Sequence, residues 1–293
     1  MRRRFSISFI SFIFLLAFIQ EPLSGQVTKS ARITPVDTSL FQPPQPAENG
    51  FSCEYWRSYF SAARYTLTAP ARWKWRDWSK TGLIIGSTVG LYAVDKDLQE
   101  WFQKHRTPTT NSLTQVGNVF GEKLLVIPFL SLFYLHSQLY HNERTQAIAR
   151  LGLKSFFITS VVVGITKLAT HRVRPDETSH PNQWEGPGFA LPRCSFPSGH
   201  AAVSFSLATT IASQYPDRGL VAPLCYSLAF LNSLSRLNDN AHWASDAFLG
   251  AALGYFITQG IVRLDSQERN QQLHFRPAIR PGQFTLQVSI NLK

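Results

Sequence analysis

Three short stretches of the chain concentrate residues able to hold and attack an anion. The first pairs Lys167 with Arg174, followed at once by Pro175. The second is the run Pro197-Ser198-Gly199-His200. The third opens with Ser235-Arg236 and reaches His242 and Asp246. Lys167, Arg174 and Arg236 are three cations without an equal number of acids, and together they need an anion to offset their repulsion. The planar fork of an arginine matches phosphate oxygens, and a lysine adds a point charge. Pro175 fixes the turn after Arg174. Ser198 is a preferred helix cap, a helix start offers free N–H groups at the positive end of its dipole, and Gly199 lets a ligand approach the backbone closely. That combination is an anion cradle. His242 and Asp246 are four apart, so on a helix they face one side. A carboxylate that accepts from one imidazole nitrogen fixes the tautomer and leaves the other nitrogen basic, which serves a general base or a nucleophile.

Other chemistries lack their residues. The sequence has no His-Glu-x-x-His, no paired Cys-x-x-Cys and no acid cluster for a divalent ion, so no metal and no cofactor is expected. A glycine-rich phosphate loop is absent as well.

The elements that must position these residues are helical. Long apolar runs cover Thr81–Val94, Leu124–Tyr140, Ser155–Thr166, Ala201–Tyr215, Gly219–Ser235 and Ala247–Val262, with few strand signals between them. The pattern predicts an all-α bundle. The three stretches sit at run ends, and alternating up-and-down helices bring them to one face. Arg144, Arg150, Arg218, Arg263 and Arg269 lie toward the other end, a positive-inside arrangement if the bundle is embedded in a membrane. The runs are short for spans but rich in Ala, Gly, Ser and Thr, which suits close helix packing. Embedding is favoured, with a soluble exported bundle as the alternative.

The three stretches resemble the signatures of the phosphatidic acid phosphatase type 2/haloperoxidase superfamily. They are Lys167-Leu-Ala-Thr-His-Arg-Val-Arg174-Pro175, Pro197-Ser198-Gly199-His200 and Ser235-Arg236 through His242 to Asp246. All defining positions are filled, in order, over roughly residues 124–264. The resemblance implies an all-α helical bundle of that type and a phosphatase acting without metal. It implies that His242 attacks phosphorus to form a phosphohistidine, that Asp246 orients it, and that His200 protonates the leaving alkoxide. Lys167, Arg174 and Arg236 then bind phosphoryl oxygens, with hydrogen bonds from Ser198 and Gly199. One neutral and one protonated histidine imply a bell-shaped pH profile. The expected substrate is a phosphomonoester or diphosphate, of a lipid or of a small soluble molecule. A vanadium-dependent haloperoxidase and a non-catalytic phospholipid-binding protein are the competing readings.

The chain has 293 residues, 44% hydrophobic and 16% charged, which excludes disorder as a whole-chain description. Its net charge of +11 suits anionic partners. Residues 1–25 read as a secretory signal, with Arg2, Arg3 and Arg4 before an uncharged stretch from Phe5 to Ile19. Export directs the chain to a bacterial cell envelope, facing the periplasm from the inner membrane or soluble within it, and away from nucleic acid. Residues 26–115 are an N-terminal extension, Pro-rich at first and then carrying Trp56, Trp73, Trp75 and Trp78 among basic residues, as at a lipid headgroup layer. The catalytic domain is expected over 116–264. Residues 265–293 form a basic tail, and the alternation of Phe284, Leu286, Val288, Ile290 and Leu292 with polar neighbours predicts a short strand. In an oxidising compartment Cys53 and Cys194 are able to pair, while Cys225 reads as a buried thiol.

Overall fold

Each apolar run coincides with a helix in the computed structural model, which describes residues 53–189, 193–280 and 283–290. The signal segment 1–25 and the Pro-rich lead-in up to residue 52 lie outside the described residues. The helices are α1 (Cys53–Leu67), α2 (Trp75–Ala93), α3 (Asp95–Lys104), α4 (Pro108–Gly121), α5 (Lys123–Tyr140), α6 (Glu143–Thr170), α7 (Gly199–Gln214), α8 (Val221–Asn238) and α9 (Ala244–Gln272). Two strands follow, β1 (Leu273–Arg280) and β2 (Gln283–Ile290), paired antiparallel from Leu273 opposite Ile290 to Arg280 opposite Gln283. The second strand lies where the alternation predicts one; the first occupies a stretch whose composition gives no strand signal.

Local sequence sets the boundaries. Thr107 caps α4 by accepting from Thr110 N, with Pro108 at the first helical position. His141 takes a left-handed conformation and ends α5, and the side chain of Asn142 then accepts from the N–H groups of Arg144 and Thr145 to start α6. At the far end of α6, His171 adopts φ 46° and its N–H returns to the Lys167 carbonyl. Helix α6 outruns the apolar run that announced it, because its first turns bury residues with little apolar signal, among them Thr145, Ala147, Ala149, Gly152 and Lys154.

Helix α7 is the axis of the bundle, packed by α6, α8 and α9 and buried along most of its length. Its small side chains allow that enclosure. The tightest approach is with α9, where a Cβ on Gly250 would lie 2.3 Å from the Ser198 carbonyl oxygen and one on Gly254 would lie 2.0 Å from that of Ala202. Only glycine permits this backbone-to-backbone seam, a small-xxx-small crossing of the kind that draws helices together.

The segment 53–115 packs into the bundle and does not stand apart as an extension. Helix α1 lies on α6 and α9, with Ala62 in one apolar cluster with Ala147, Leu151, Ile158, Ile257 and Ile261. The hydroxyl of Tyr55 donates to the Arg150 carbonyl at 2.9 Å. Helix α3 reaches α8 and α9, and α4 lines α8. No disulfide joins Cys53, which is exposed on α1, to Cys194, which is buried in the loop before α7; Cys225 is buried in α8.

Candidate active site

A folded connection between α6 and α7 brings the three motif stretches together. Ser195 N donates to the Arg172 carbonyl at 2.7 Å, Val173 N to that of Gln183 at 3.0 Å and Glu185 N to that of His171 at 3.1 Å. The third stretch is tied to the first two. Trp243 Nε1 donates to the Val173 carbonyl at 3.0 Å, and Asn240 Nδ2 to that of Pro175 at 3.1 Å. Ser198 N donates to the Asp246 carbonyl at 2.9 Å, so the starts of α7 and α9 are bonded directly.

His242 and Asp246 form the buried floor, with side chains 3% and 0% exposed. Their direct separation, 3.9 Å from Nδ1 to Oδ2, is too long for a hydrogen bond. Ser195 closes the gap. Its hydroxyl donates to Asp246 Oδ2 and lies 3.2 Å from His242 Nδ1. A serine has one hydroxyl proton; with that proton on the carboxylate, the oxygen accepts from Nδ1–H. The network therefore assigns the Nδ1–H tautomer and leaves the Nε2 lone pair for chemistry. Trp243 N adds a bond to Asp246 Oδ2 at 3.1 Å. Burial pushes the His242 imidazole down to about 4, with Lys167 and Arg174 acting in the same sense and Asp246 against them. At neutral pH the ring is an uncharged base.

The three cations are held by different means. Lys167 Nζ donates to the carbonyls of Cys194 and Ser195, so it also fixes the loop that carries Ser195. Arg236 is braced by Asn118, by Asp239 at 3.1 Å and by Ser235 at 3.2 Å. Arg174 carries a buried Nε with no hydrogen-bond partner among the described residues. A buried guanidinium N–H without an acceptor is costly unless an acceptor is to arrive. Ser198 is fully buried, and its hydroxyl accepts from Ala201 N at 3.4 Å as the cap of α7.

His200 stands on the first turn of α7, 28% exposed, with Nε2 3.8 Å from the carboxylate of Glu122. Burial and the nearby Arg236 and His242 hold it down at about 3, with Glu122 opposing. Both imidazoles are thus neutral before an anion binds, where one neutral and one protonated ring were expected. Lys123 follows Glu122 at the start of α5. Its Nζ lies 3.3 Å from where a Gly199 Cβ would stand, over a shallow dent also lined by Thr159, Ser160 and Val163.

All eight sequence-expected residues therefore gather at one end of the bundle. Sequence reasoning missed Ser195, Arg172, Asn118, Glu122 and Asp95. Each is an ordinary polar residue by type, and only its distant partner gives it meaning. Among the described residues, no group of three or more His, Cys, Asp or Glu side chains is placed to share a metal ion.

Residues 151–269 match the family model described as the PAP2 superfamily. The matched segment, less than half of the chain, is similar to that superfamily. The matched segment contains every expected site residue but neither Asp95, Asn118 nor Glu122. Over 110 residues the chain is 34% identical to a lipid A 1-phosphatase of Porphyromonas gingivalis, covering 35% of this chain and 22% of that longer protein. Over 183 residues it is 25% identical to an undecaprenyl-diphosphatase of Sulfolobus acidocaldarius, covering 62% of this chain and 84% of the relative. Among solved structures, a transmembrane PAP2-type phosphatidylglycerolphosphate phosphatase from Bacillus subtilis aligns over 73% of this chain and 95% of its own. Its TM-score is 0.49 at 18% identity.

Proposed function

We propose that this chain is a PAP2-type, metal-independent phosphatase that cleaves a phosphoester or diphosphate bond of a lipid at the outer face of a membrane. The observation that carries the reading is the orphaned, buried Nε of Arg174, set among Lys167, Arg236 and two neutral imidazoles. A tetrahedral phosphoryl group supplies the acceptors that Arg174 lacks. It also supplies the negative charge that three gathered cations require. Phosphoryl transfer asks a protein mainly for positioning and charge stabilisation, and these residues provide both.

In the proposed cycle, His242 Nε2 bonds to phosphorus as the bond to the leaving oxygen breaks. His200 gives that oxygen its proton, and the alcohol or shorter phosphate departs. Water then attacks the phosphohistidine, passing a proton to His200, and inorganic phosphate leaves as His242 Nε2 regains its lone pair. Because His200 is neutral in the free protein, its proton arrives with the substrate monoanion. A phosphomonoester holds that proton below about pH 6. Activity is therefore expected to fall above about pH 6, and again toward pH 4 as His242 protonates.

A lipid substrate is supported by the outer surface. Helix α5 exposes Leu124, Ile127, Leu135 and Leu139, and α2 exposes Leu83 and Val89. Such contiguous apolar exposure is unusual for a surface facing water. Among the described residues, two helices are long and apolar enough to cross a bilayer, Glu143–Thr170 and Ala244–Glu268. The named relatives act on lipid A and on undecaprenyl diphosphate. The test is phosphate release from a panel of lipid and soluble phosphoesters, run on detergent-extracted and detergent-free fractions. Vanadate-sensitive hydrolysis of lipid phosphates in the extracted fraction supports the proposal. Hydrolysis that survives His242→Ala overturns it.

A further inference from the structure

Behind His242 the hydrogen-bonded chain continues past Asp246 to a residue far outside the matched segment. Arg172 is completely buried; its Nη1 donates to Asp246 Oδ1 at 2.6 Å and its Nη2 to Asp95 Oδ2 at 2.7 Å. Asp95, also 0% exposed, accepts through Oδ1 from Ser245 N at 2.9 Å and through Oδ2 from Ser245 Oγ at 2.5 Å. The Arg172 guanidinium lies 4.8 Å from the Tyr92 ring centroid, 5.1 Å from Trp184 and 5.4 Å from Trp243. Arg172, Asp95 and Asp246 are all fully buried, so the balance of their charges matters.

Resting on the phosphohistidine reading, we propose that Asp95 is a positioning residue that cancels the charge of Arg172 and so reserves the charge of Asp246 for His242. With His242 neutral, Asp95, Arg172 and Asp246 sum to one negative charge in a buried pocket. As Nε2 bonds to phosphorus, the ring becomes a cation and the pocket becomes neutral. The surplus charge is thus matched to the moment of reaction, the condition for lowering a barrier. Without the Asp95 carboxylate, Arg172 and Asp246 neutralise one another, and the ring's positive charge forms in an apolar setting with no counter-ion. A salt bridge that served only to fasten α3 to α9 would not need the second carboxylate's charge.

The test is Asp95→Asn in the full-length, detergent-solubilised protein, which keeps the side chain's size and its ability to bond Ser245. With p-nitrophenyl phosphate as probe, kcat/KM is expected to fall about tenfold to a hundredfold, the range for loss of an outer-sphere partner. Inhibition by inorganic phosphate, which reports ground-state anion binding, is expected to change less than about twofold, since only transition-state stabilisation is lost. The acid limb of the pH profile is expected to move lower. Lys167 on α6, Arg174 in the connecting loop and His200 on α7 also act on His242, and all three are untouched by the substitution. The double variant Asp95→Asn with Arg172→Gln restores the surplus negative charge and is expected to recover part of the lost rate. An unmoved pH profile, or a double variant no faster than Asp95→Asn alone, overturns the inference. A dead His242→Ala beside a fully active Asp95→Asn removes this inference and leaves the phosphatase reading standing, whereas an active His242→Ala removes the phosphatase reading itself.

Discussion

His242 has a hydroxyl, a carboxylate, a guanidinium and a second carboxylate ranked behind it, and only 3% of its side chain meets solvent. His200, on the first turn of α7, is 28% exposed and faces the carboxylate of Glu122 at 3.8 Å. The two rings are chemically identical and sit in opposite surroundings. A nucleophile must hold one tautomer and one direction against the charge it develops. A leaving-group acid must instead exchange its proton and accommodate departing groups of different size. Rigid burial suits the first task, and a solvent-reached ring with a movable counter-ion suits the second.

That contrast is tested first where it is steepest. His242→Ala is expected to lower turnover by at least about a thousandfold, as loss of a nucleophile does, with the thermal unfolding transition retained; phosphate release and calorimetry together check it. On the acid side, His200→Gln is expected to cost about a hundredfold or more with an alkyl phosphate, in the usual range for general acid catalysis. It should cost far less with p-nitrophenyl phosphate, whose leaving group needs no proton. Equal losses on both substrates would erase the distinction between the two rings. Ser195→Ala breaks the bridge to Asp246 and is expected to reduce kcat about tenfold or more while KM stays near its original value, checked by steady-state kinetics. The smallest effect is predicted for Glu122→Gln. The carboxylate at His200 is exposed and solvent-screened, so a change of only a few-fold is expected, read as a downward shift of the alkaline limb in kcat.

Stability should follow pH with a definite sign. Both imidazoles are depressed in the folded protein, to about 3 and about 4. The unfolded chain therefore takes up protons that the folded chain refuses. Their contribution is complete above about pH 6.5, the ordinary histidine value, and is lost as the pH falls toward 4. The Tm is expected to drop over that window, and inorganic phosphate is expected to offset part of the drop.

The sequence announced the residues whose type alone signals chemistry. Lys167, Arg174, His200, Arg236, His242 and Asp246 stood out because cations, imidazoles and a carboxylate recur at fixed offsets near helix ends. The bundle was legible for a similar reason, since Leu124–Tyr140 and Ala201–Tyr215 are apolar runs too long for strands. Asp95 was not legible. On its own it is the first residue of a ten-residue helix, where an acid is expected simply for the dipole. Its partner Arg172 lies 77 positions away, and no local spacing links them. Ser195 was hidden by similar plainness, because a serine before a Pro-Ser-Gly turn has many ordinary uses. The start of α6 was underestimated because buried threonine, alanine and glycine carry no strong apolar signal, and the far end of α9 because residues such as Arg263 and Glu268 are polar and exposed.

The seam at Gly250 and Gly254 decides which wall of the site can yield. Ser198 and Ala202 press their carbonyls against α9 with no side chain between, so the mounts of His200 and His242 behave as one solid block. A bulky ligand cannot be admitted by prising those helices apart. The opposite bank is built differently: there Gly199 meets the flexible end of Lys123, whose Nζ lies 3.3 Å from where a Cβ would stand, so any yielding of the site falls to the first turn of α5.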